Sequence, residues 1–322
     1  MNKDGPASSE PLSPDTYSEA LEQQLALVRD LTGPRGPALC DGSSMVKTGE
    51  ASATRYARFF ATLVSRAQPF FWAAHLAHAT QVASRTLPTY TFTAESFPCP
   101  DGFMWFQEPV ELLVLDPGPQ LLQSVYWHVG VEAQDERGVP VLLFGQTVDR
   151  RRRNGMPTIQ SNVRLGQTLE DMHAEIAREG SAHAGGIEAF GSAHYLDISD
   201  AFHRFLAACL SFLEQRLVLP VTRPASRGTR RRLEREHAGY QHEPVVQVIE
   251  LRRKDRPQLE REESSATTAP DWRYQWVVSG HWRRQYYRRT DTHKPRYIAP
   301  YVKGPEDKPL KAPAGRVFAV TR

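Results

Sequence analysis

The fold is decided by residues 101–148, which read DGFMWFQEPVELLVLDPGPQLLQSVYWHVGVEAQDERGVPVLLFGQTV. Short runs of branched and aromatic residues alternate here with turn signals rich in Pro, Asp and Gly, a pattern typical of strands. The predicted strands lie around residues 103–106, 112–115, 125–131 and 139–144. Because the turns between them are short, neighbouring strands should run antiparallel. The stretch therefore predicts a small antiparallel sheet.

Helical patterns precede this stretch. A first helix is predicted to begin at Ser13 or Asp15 and to end at Gly33, because a capping residue and a proline come before leucines at helical spacing. A second helix is predicted over residues 53–84, with a kink or break at Pro69.

Helical patterns also follow it. Residues 168–179 predict a short helix, and Asp200 is expected to cap a longer helix with an apolar stripe. We therefore predict an α+β fold class, in which helices pack on an antiparallel sheet and a small β-rich C-terminal module follows.

Composition excludes several classes of protein. The chain has 322 residues, of which 40% are hydrophobic, so it can bury a substantial core and is neither fibrous nor wholly disordered. Its apolar segments are shorter than the roughly 18 to 20 residues of a membrane span, and the N-terminus has no apolar signal core. We expect a cytoplasmic protein with no membrane partner. The three cysteines have neither disulfide nor zinc-ligand spacing; they are Cys40, Cys99 and Cys209.

Four regions are predicted along the chain. Residues 1–14 form a disordered tail, 15–220 a helical and antiparallel-sheet body, 221–243 a basic connector, and 244–322 a basic β-rich module. Within that module, the acidic and polar residues 260–271 predict an exposed hairpin loop.

Charge is strongly segregated between these regions. Residues 223–256 hold ten basic and five acidic residues, and residues 272–303 hold eight and one. The two segments together carry a net charge of +12, so the rest of the chain carries −9 to give the overall +3. Whether the two basic segments share one face depends on the fold.

Arginines and aromatic residues are interleaved in residues 272–303, WRYQWVVSGHWRRQYYRRTDTHKPRYIAPYVK. Arginine forks bind phosphate oxygens, and aromatic rings stack on bases. The segment therefore predicts nucleic-acid binding, with DNA or RNA left open. The predicted binding residues here are Trp282, Arg283, Arg284, Tyr286, Arg288, Arg289, Lys294 and Arg296. The alternative is a structural hairpin whose aromatics are core and whose basic side chains are solvated.

A second predicted binding element is a short helix over residues 226–236, SRGTRRRLERE, capped by Ser226. It carries Arg230, Arg231 and Arg232, which could follow a phosphate backbone. The alternative is a flexible basic linker.

Two other functions remain open. A metal-independent ribonuclease needs a base, an acid and cations near one phosphate, and His281, His293 and Tyr287 are the candidate catalytic residues in a strongly basic setting. Both histidines must then lie within about 7 Å of that phosphate. In a further class, a structural or regulatory module would bind an acidic protein partner through the same charges.

No cofactor or metal is predicted. His75 and His78 lie three residues apart on one helical face, but neither HExxH nor a carboxylate at metal-ligand spacing accompanies them. The chain also has no Walker A, GxGxxG or GxSxG motif, so nucleotide-dependent enzymes and common serine hydrolases lose their main support.

The C-terminal part of the chain carries a distinctive signature. It consists of GHWR at 280–283, Gln285, HKP at 293–295 and IAPYVKGPEDKPL at 298–310. This signature resembles one in uncharacterised proteins of actinobacteria and their phages. The resemblance implies a bacterial, mobile-element setting and transfers no catalytic role. Relatives often have Trp-Tyr-Pro-Ser after the glutamine where this chain has YYRR at 286–289, so we expect a different connecting turn.

Overall fold

The structure is a computed structural model. It describes residues 12–34, 36, 50–115, 118–130, 139–148, 157–182, 195–215, 217–236, 243–251, 274–289, 291–305 and 308–310.

The described part of the chain contains six α-helices and eleven strands. The helices are α1 (Pro14–Thr32), α2 (Glu50–Arg66), α3 (Ala74–Ser84), α4 (Leu169–Ala182), α5 (Tyr195–Glu214) and α6 (Arg227–Glu236). The strands are β1 (Gln68–Trp72), β2 (Asp101–Leu115), β3 (Gly118–Val129), β4 (Pro140–Val148), β5 (Pro157–Arg164), β6 (Val218–Pro224), β7 (Val245–Leu251), β8 (Trp276–Val278), β9 (His281–Tyr287), β10 (Thr292–Ile298) and β11 (Tyr301–Lys303). The predicted α+β class is confirmed, including its small β-rich C-terminal module.

A seven-stranded sheet, in the order β5-β4-β3-β2-β1-β7-β6, forms the centre. Strands β2 to β5 form an antiparallel meander. The turn signals predict its β2 to β4 part, but the separate strands predicted at 103–106 and 112–115 are one strand, β2, and β5 is not predicted. The sheet as a whole is mixed, however, because β1 runs parallel to both β2 and β7.

The predicted helix over residues 53–84 is wrong in its middle. Residues Gln68–Trp72 form the central strand β1, and helices α2 and α3 lie on either side of it. Pro69 disfavours helical backbone at the residue before it. The following Phe70, Phe71 and Trp72 are fully buried. The sequence pattern of such a short apolar run is compatible both with a strand buried on both faces and with a helix.

The core lies in two layers, one on each face of the sheet. Alternation along β1 sends Phe70 and Trp72 to one cluster and Phe71 to the other. The first cluster contains residues of α3 and α5, and the second contains residues of α1 and α2 together with Leu233 of α6. Helices therefore cover both faces of the sheet.

Helix ends follow local chemistry with one exception. Ser13 caps α1 as predicted, accepting a hydrogen bond from the Thr16 amide at 3.2 Å. The prediction that Asp200 caps a helix is wrong, because α5 begins at Tyr195. Asp200 lies inside α5, where Arg204 Nε donates to it at 2.9 Å, so an i,i+4 ion pair uses the carboxylate instead.

The C-terminal module begins later than residue 244. Strand β7 belongs to the central sheet, between β1 and β6. Strand β6 and helix α6, which overlap the predicted connector, also belong to the body, since β6 pairs with β7 and α6 contributes to the second core cluster. The predicted loop at 260–271 and most of the predicted tail lie outside the described residues.

Candidate nucleic-acid interface

Strands β9 and β10 form a two-stranded antiparallel hairpin, which we call the ribbon. Its pairing runs from His281 opposite Ile298 to Tyr287 opposite Thr292. Strands β8 and β11 continue the same register after a short unpaired gap, with Val278 opposite Tyr301. The register places the segment before His281 opposite the segment around Tyr301.

Two aromatic residues anchor the ribbon on the body. Trp282 and Tyr297 are cross-strand partners with ring centroids 5.2 Å apart. Phe212 of α5 contacts both rings, with centroids at 6.3 and 5.3 Å. The Trp282 indole N–H donates to the Ala83 carbonyl oxygen at 2.8 Å. The structure therefore places Trp282, a predicted base-stacking residue, in a structural role.

A glutamine at the end of α5 binds the free edge of β10. The Gln215 side-chain amide donates to the Pro295 carbonyl oxygen at 2.9 Å, and its own carbonyl accepts from the Tyr297 amide at 2.7 Å. These two bonds satisfy the backbone groups of β10 that a neighbouring strand would otherwise bind. Beside them, Lys294 Nζ lies 3.7 Å from a Glu214 carboxylate oxygen. Predicted binding residue Lys294 is thus engaged by the body.

Arginines occupy the opposite face of the ribbon. Side chains alternate between the two faces of a strand, so Arg283 and Arg296 lie on the face away from Trp282 and Tyr297. Arg283 is the direct cross-strand partner of Arg296, and both are exposed. Their Cβ atoms are then about 5 Å apart. This face therefore presents two exposed arginines at directly paired positions.

Three further arginines surround this pair. Arg284 lies on the same face as Trp282 and is the cross-strand partner of Pro295. Arg288 and Arg289 lie in the turn. All three are exposed. Across the described part of the chain, no carboxylate oxygen is within 4.0 Å of these three side chains or of the cross-strand pair. The ribbon therefore carries five solvent-exposed positive charges without a counterion from those residues.

The Tyr286 ring near the turn contacts the ring of its cross-strand partner, His293. Tyr286 lies over His293, with ring centroids 5.0 Å apart. Its hydroxyl donates to Asp291 at 2.7 Å, and this bond raises the pKa of Tyr286. Asp291 has a φ of 49°, in the left-handed region. Tyr286 is still 45% exposed, and Tyr287 is 38% exposed.

Helix α6, the basic helix within residues 223–256, lies on the other side of the sheet from the ribbon. Helix α6 forms as predicted, with Ser226 accepting from the Thr229 amide at 3.2 Å. Its Leu233 belongs to the second core cluster, whereas Trp282 and Tyr297 of the ribbon belong to the first. Arg232 binds Glu22 of α1 at 3.0 Å, and Arg230 and Arg231 are exposed. Helix α6 and the ribbon therefore lie on opposite faces of the sheet.

The candidate catalytic residues are not brought together. His281 is paired at one end of the ribbon, and His293 is paired with Tyr286 near the other, five residue positions away. At about 3.4 Å per residue the separation is about 17 Å, and alternation places the two histidines on opposite faces. Tyr287 also lies on the face opposite His293. The arrangement therefore does not supply the base and acid that a ribonuclease needs at one phosphate.

A polar cluster that the sequence analysis missed lies where β2 begins. Asp101 accepts hydrogen bonds from His128 at 2.7 Å and Tyr126 at 3.1 Å, and Arg66 lies 3.1 Å away. Burial alone would raise the pKa of Asp101, but the bond from His128 and the nearby positive charges lower it overall. Burial raises the pKa of the adjacent Cys99 thiol to about 12, so that thiol is not a thiolate nucleophile. The cluster ties the end of α2 to the sheet.

Comparisons with known proteins add no assignment. No family model, no curated protein and no solved structure matches the chain. The C-terminal signature remains an expectation from the sequence. Within the described ranges, no group of three or more His, Cys, Asp or Glu side chains could hold a metal ion. No described helix is long and apolar enough to cross a membrane.

Proposed function

We propose that this protein binds nucleic acid through the ribbon. The observation that carries the proposal is the cross-strand pair Arg283 and Arg296. Like charges directly opposite one another destabilise a strand pair, and here no described carboxylate offsets the repulsion. A polyanion bound across this face would remove that penalty and gain two charge-assisted contacts.

The position of the charges supports the same function. The anchoring contacts use one face and one edge of the ribbon, at Trp282, Tyr297 and Gln215. They leave Arg283 and Arg296 on the opposite face, and Arg288 and Arg289 in the turn, exposed to solvent. An extended basic surface of this kind suits a phosphate backbone, which spaces negative charges regularly. The proposal also places the protein in the cytoplasm, where nucleic acid is available.

The test measures binding against salt concentration. Fluorescence anisotropy with labelled duplex DNA, single-stranded DNA and RNA would be recorded between 50 and 200 mM salt. Each phosphate contact contributes about −0.9 to the slope of log K against log salt for B-form DNA. Replacing Arg283 and Arg296 by Ala together should therefore make the slope shallower by up to about 1.8. At 0.1 M salt the affinity should fall roughly 10- to 100-fold.

A matched control is available on helix α6. Replacing Arg230 and Arg231 by Ala removes the same charge from the other side of the sheet and should leave binding unchanged. No binding to any of the three nucleic acids at 50 mM salt, or an equal loss in the control, would contradict the proposal. In that case the arginine face would be better explained by an acidic protein partner.

A further inference from the structure

We infer that the nucleic acid is duplex DNA and that the ribbon enters its major groove. This inference rests on the proposed function and specifies its substrate class and binding mode.

The dimensions of the ribbon fit that groove. Two paired strands lie about 4.8 Å apart, and the major groove of B-form DNA is about 12 Å wide and admits a two-stranded ribbon. Strands β9 and β10 form such a ribbon with no third strand paired to them in the described chain. From Trp282 to Arg288 the ribbon extends for six residues, about 20 Å. That length is enough to reach across a groove from an anchor on the body.

The side chains on the outward face suit base edges. Arg283 and Arg296 share this face with Gln285 by alternation. Arginine makes bidentate contacts with guanine O6 and N7, and glutamine makes them with adenine N6 and N7. Arg288 and Arg289 in the turn are placed to bind phosphates at the groove edge, which would fix the orientation of the ribbon.

The structure favours this mode over single-strand binding. Proteins that bind single strands stack bases on aromatic rings. Here the Trp282 ring is packed between Phe212 and Tyr297, and one side of the Tyr286 ring is used by His293. Tyr286 and Tyr287 are 45% and 38% exposed, but alternation places them on opposite faces of the ribbon. They therefore do not form a row of rings on one face along which successive bases could stack. Duplex RNA is also disfavoured, because its major groove is too deep and narrow for side chains to read.

The experiment compares the three nucleic acids and then identifies the groove. Anisotropy at 100 mM salt should show duplex DNA bound at least tenfold more tightly than a single strand or duplex RNA of the same sequence. Dimethyl sulfate then methylates guanine N7 in the major groove and adenine N3 in the minor groove. We expect the wild-type protein to protect guanine N7 and to leave adenine N3 reactive.

Variants assign that protection to the outward face. Protection should be lost in the double variant Arg283→Ala, Arg296→Ala at a protein concentration that still saturates the DNA. It should persist in Arg58→Ala, which removes an exposed charge from α2, on the other side of the sheet. Binding that protects adenine N3 instead, or a single strand bound as tightly as duplex, would overturn the groove assignment and leave nucleic-acid binding intact. Absence of binding to all three would overturn the proposed function itself.

Discussion

We predict that the two side-chain hydrogen bonds of Gln215 hold the ribbon against the body. In Gln215→Leu, the Pro295 carbonyl and the Tyr297 amide both lose their partner. A buried backbone group without a partner costs about 1 to 3 kcal/mol. Both bonds are only partly buried, so water will replace part of each one. The docked state of the ribbon should therefore be weakened by about 2 to 4 kcal/mol in total.

Hydrogen exchange measures this opening directly. Because about 1.4 kcal/mol corresponds to a factor of ten, amides of β9 and β10 should exchange roughly 30- to 700-fold faster in Gln215→Leu. Amides of β3 should be unaffected, since local opening of the ribbon does not break the central sheet. Gln23→Leu, on α1 at the other face of the sheet, is the control and should change neither region.

The outcome is decisive in either direction. Exchange in β9 and β10 that stays within a factor of three of wild type would refute the reasoning that the side-chain amide holds the ribbon. Faster exchange spread equally over β3 would show that the substitution destabilises the whole protein instead. A ribbon-specific effect should be accompanied by weaker nucleic-acid binding, because a loosened ribbon must be ordered again on binding.

Three further predictions concern the body. Gly102→Ala would place a Cβ 2.0 Å from the fully buried Trp127 ring and should cost at least about 1 to 3 kcal/mol of unfolding free energy, whereas Gly118→Ala, with nothing within 4 Å, should be neutral in chemical denaturation. Burial lowers the pKa of His203 to about 3, so the unfolded chain binds a proton first on acidification. The free energy of unfolding should therefore fall by up to about 1.4 kcal/mol per pH unit from about pH 6 towards 3. His203→Gln should remove this pH dependence, and a variant whose unfolding free energy varies with pH as in wild type would contradict the prediction. The lowered pKa of Asp101 means that its contribution is present above about pH 4 and lost as pH falls further. Asp101→Asn should thus be less stable than wild type at pH 7, and a gap that stays constant down to pH 2 would refute the assignment.

Much of the architecture could be predicted from local signals. The meander of β2 to β4 follows from turn residues and strand-forming runs, and α1 and α6 begin at serines that cap them. Strand β1 could not be predicted, because its five residues form a strand by pairing with β2 and β7, which lie on either side of it in the sheet. A short apolar run has no period of its own to separate strand from helix.

The candidate site was predictable in composition but not in roles. Alternation along β9 and β10 divides the side chains into two faces, and it does not say which face meets the body. That choice depends on Ala83 and Gln215, which are 199 and 80 residues away from their ribbon partners Trp282 and Pro295. Composition alone therefore groups Trp282 with the predicted binding residues, although its ring and indole N–H hold the ribbon on the body.

The anchoring of the ribbon and the exposure of its arginines are set by one structural property, the register of the ribbon. A slip of one residue would exchange the two faces, moving Trp282 outward and Arg283 inward. The cross-strand pair of Trp282 and Tyr297 resists this slip, because both rings already pack on Phe212. Gly280 contributes as well, since a Cβ there would lie 2.1 Å from the Tyr297 hydroxyl oxygen, so only glycine allows that ring its position. In the sequence Gly-His-Trp-Arg at 280–283, the glycine thus leaves room for the Tyr297 ring, and the tryptophan fixes the register of the ribbon. The arginine that follows is then directed to the face where its cross-strand partner is another arginine.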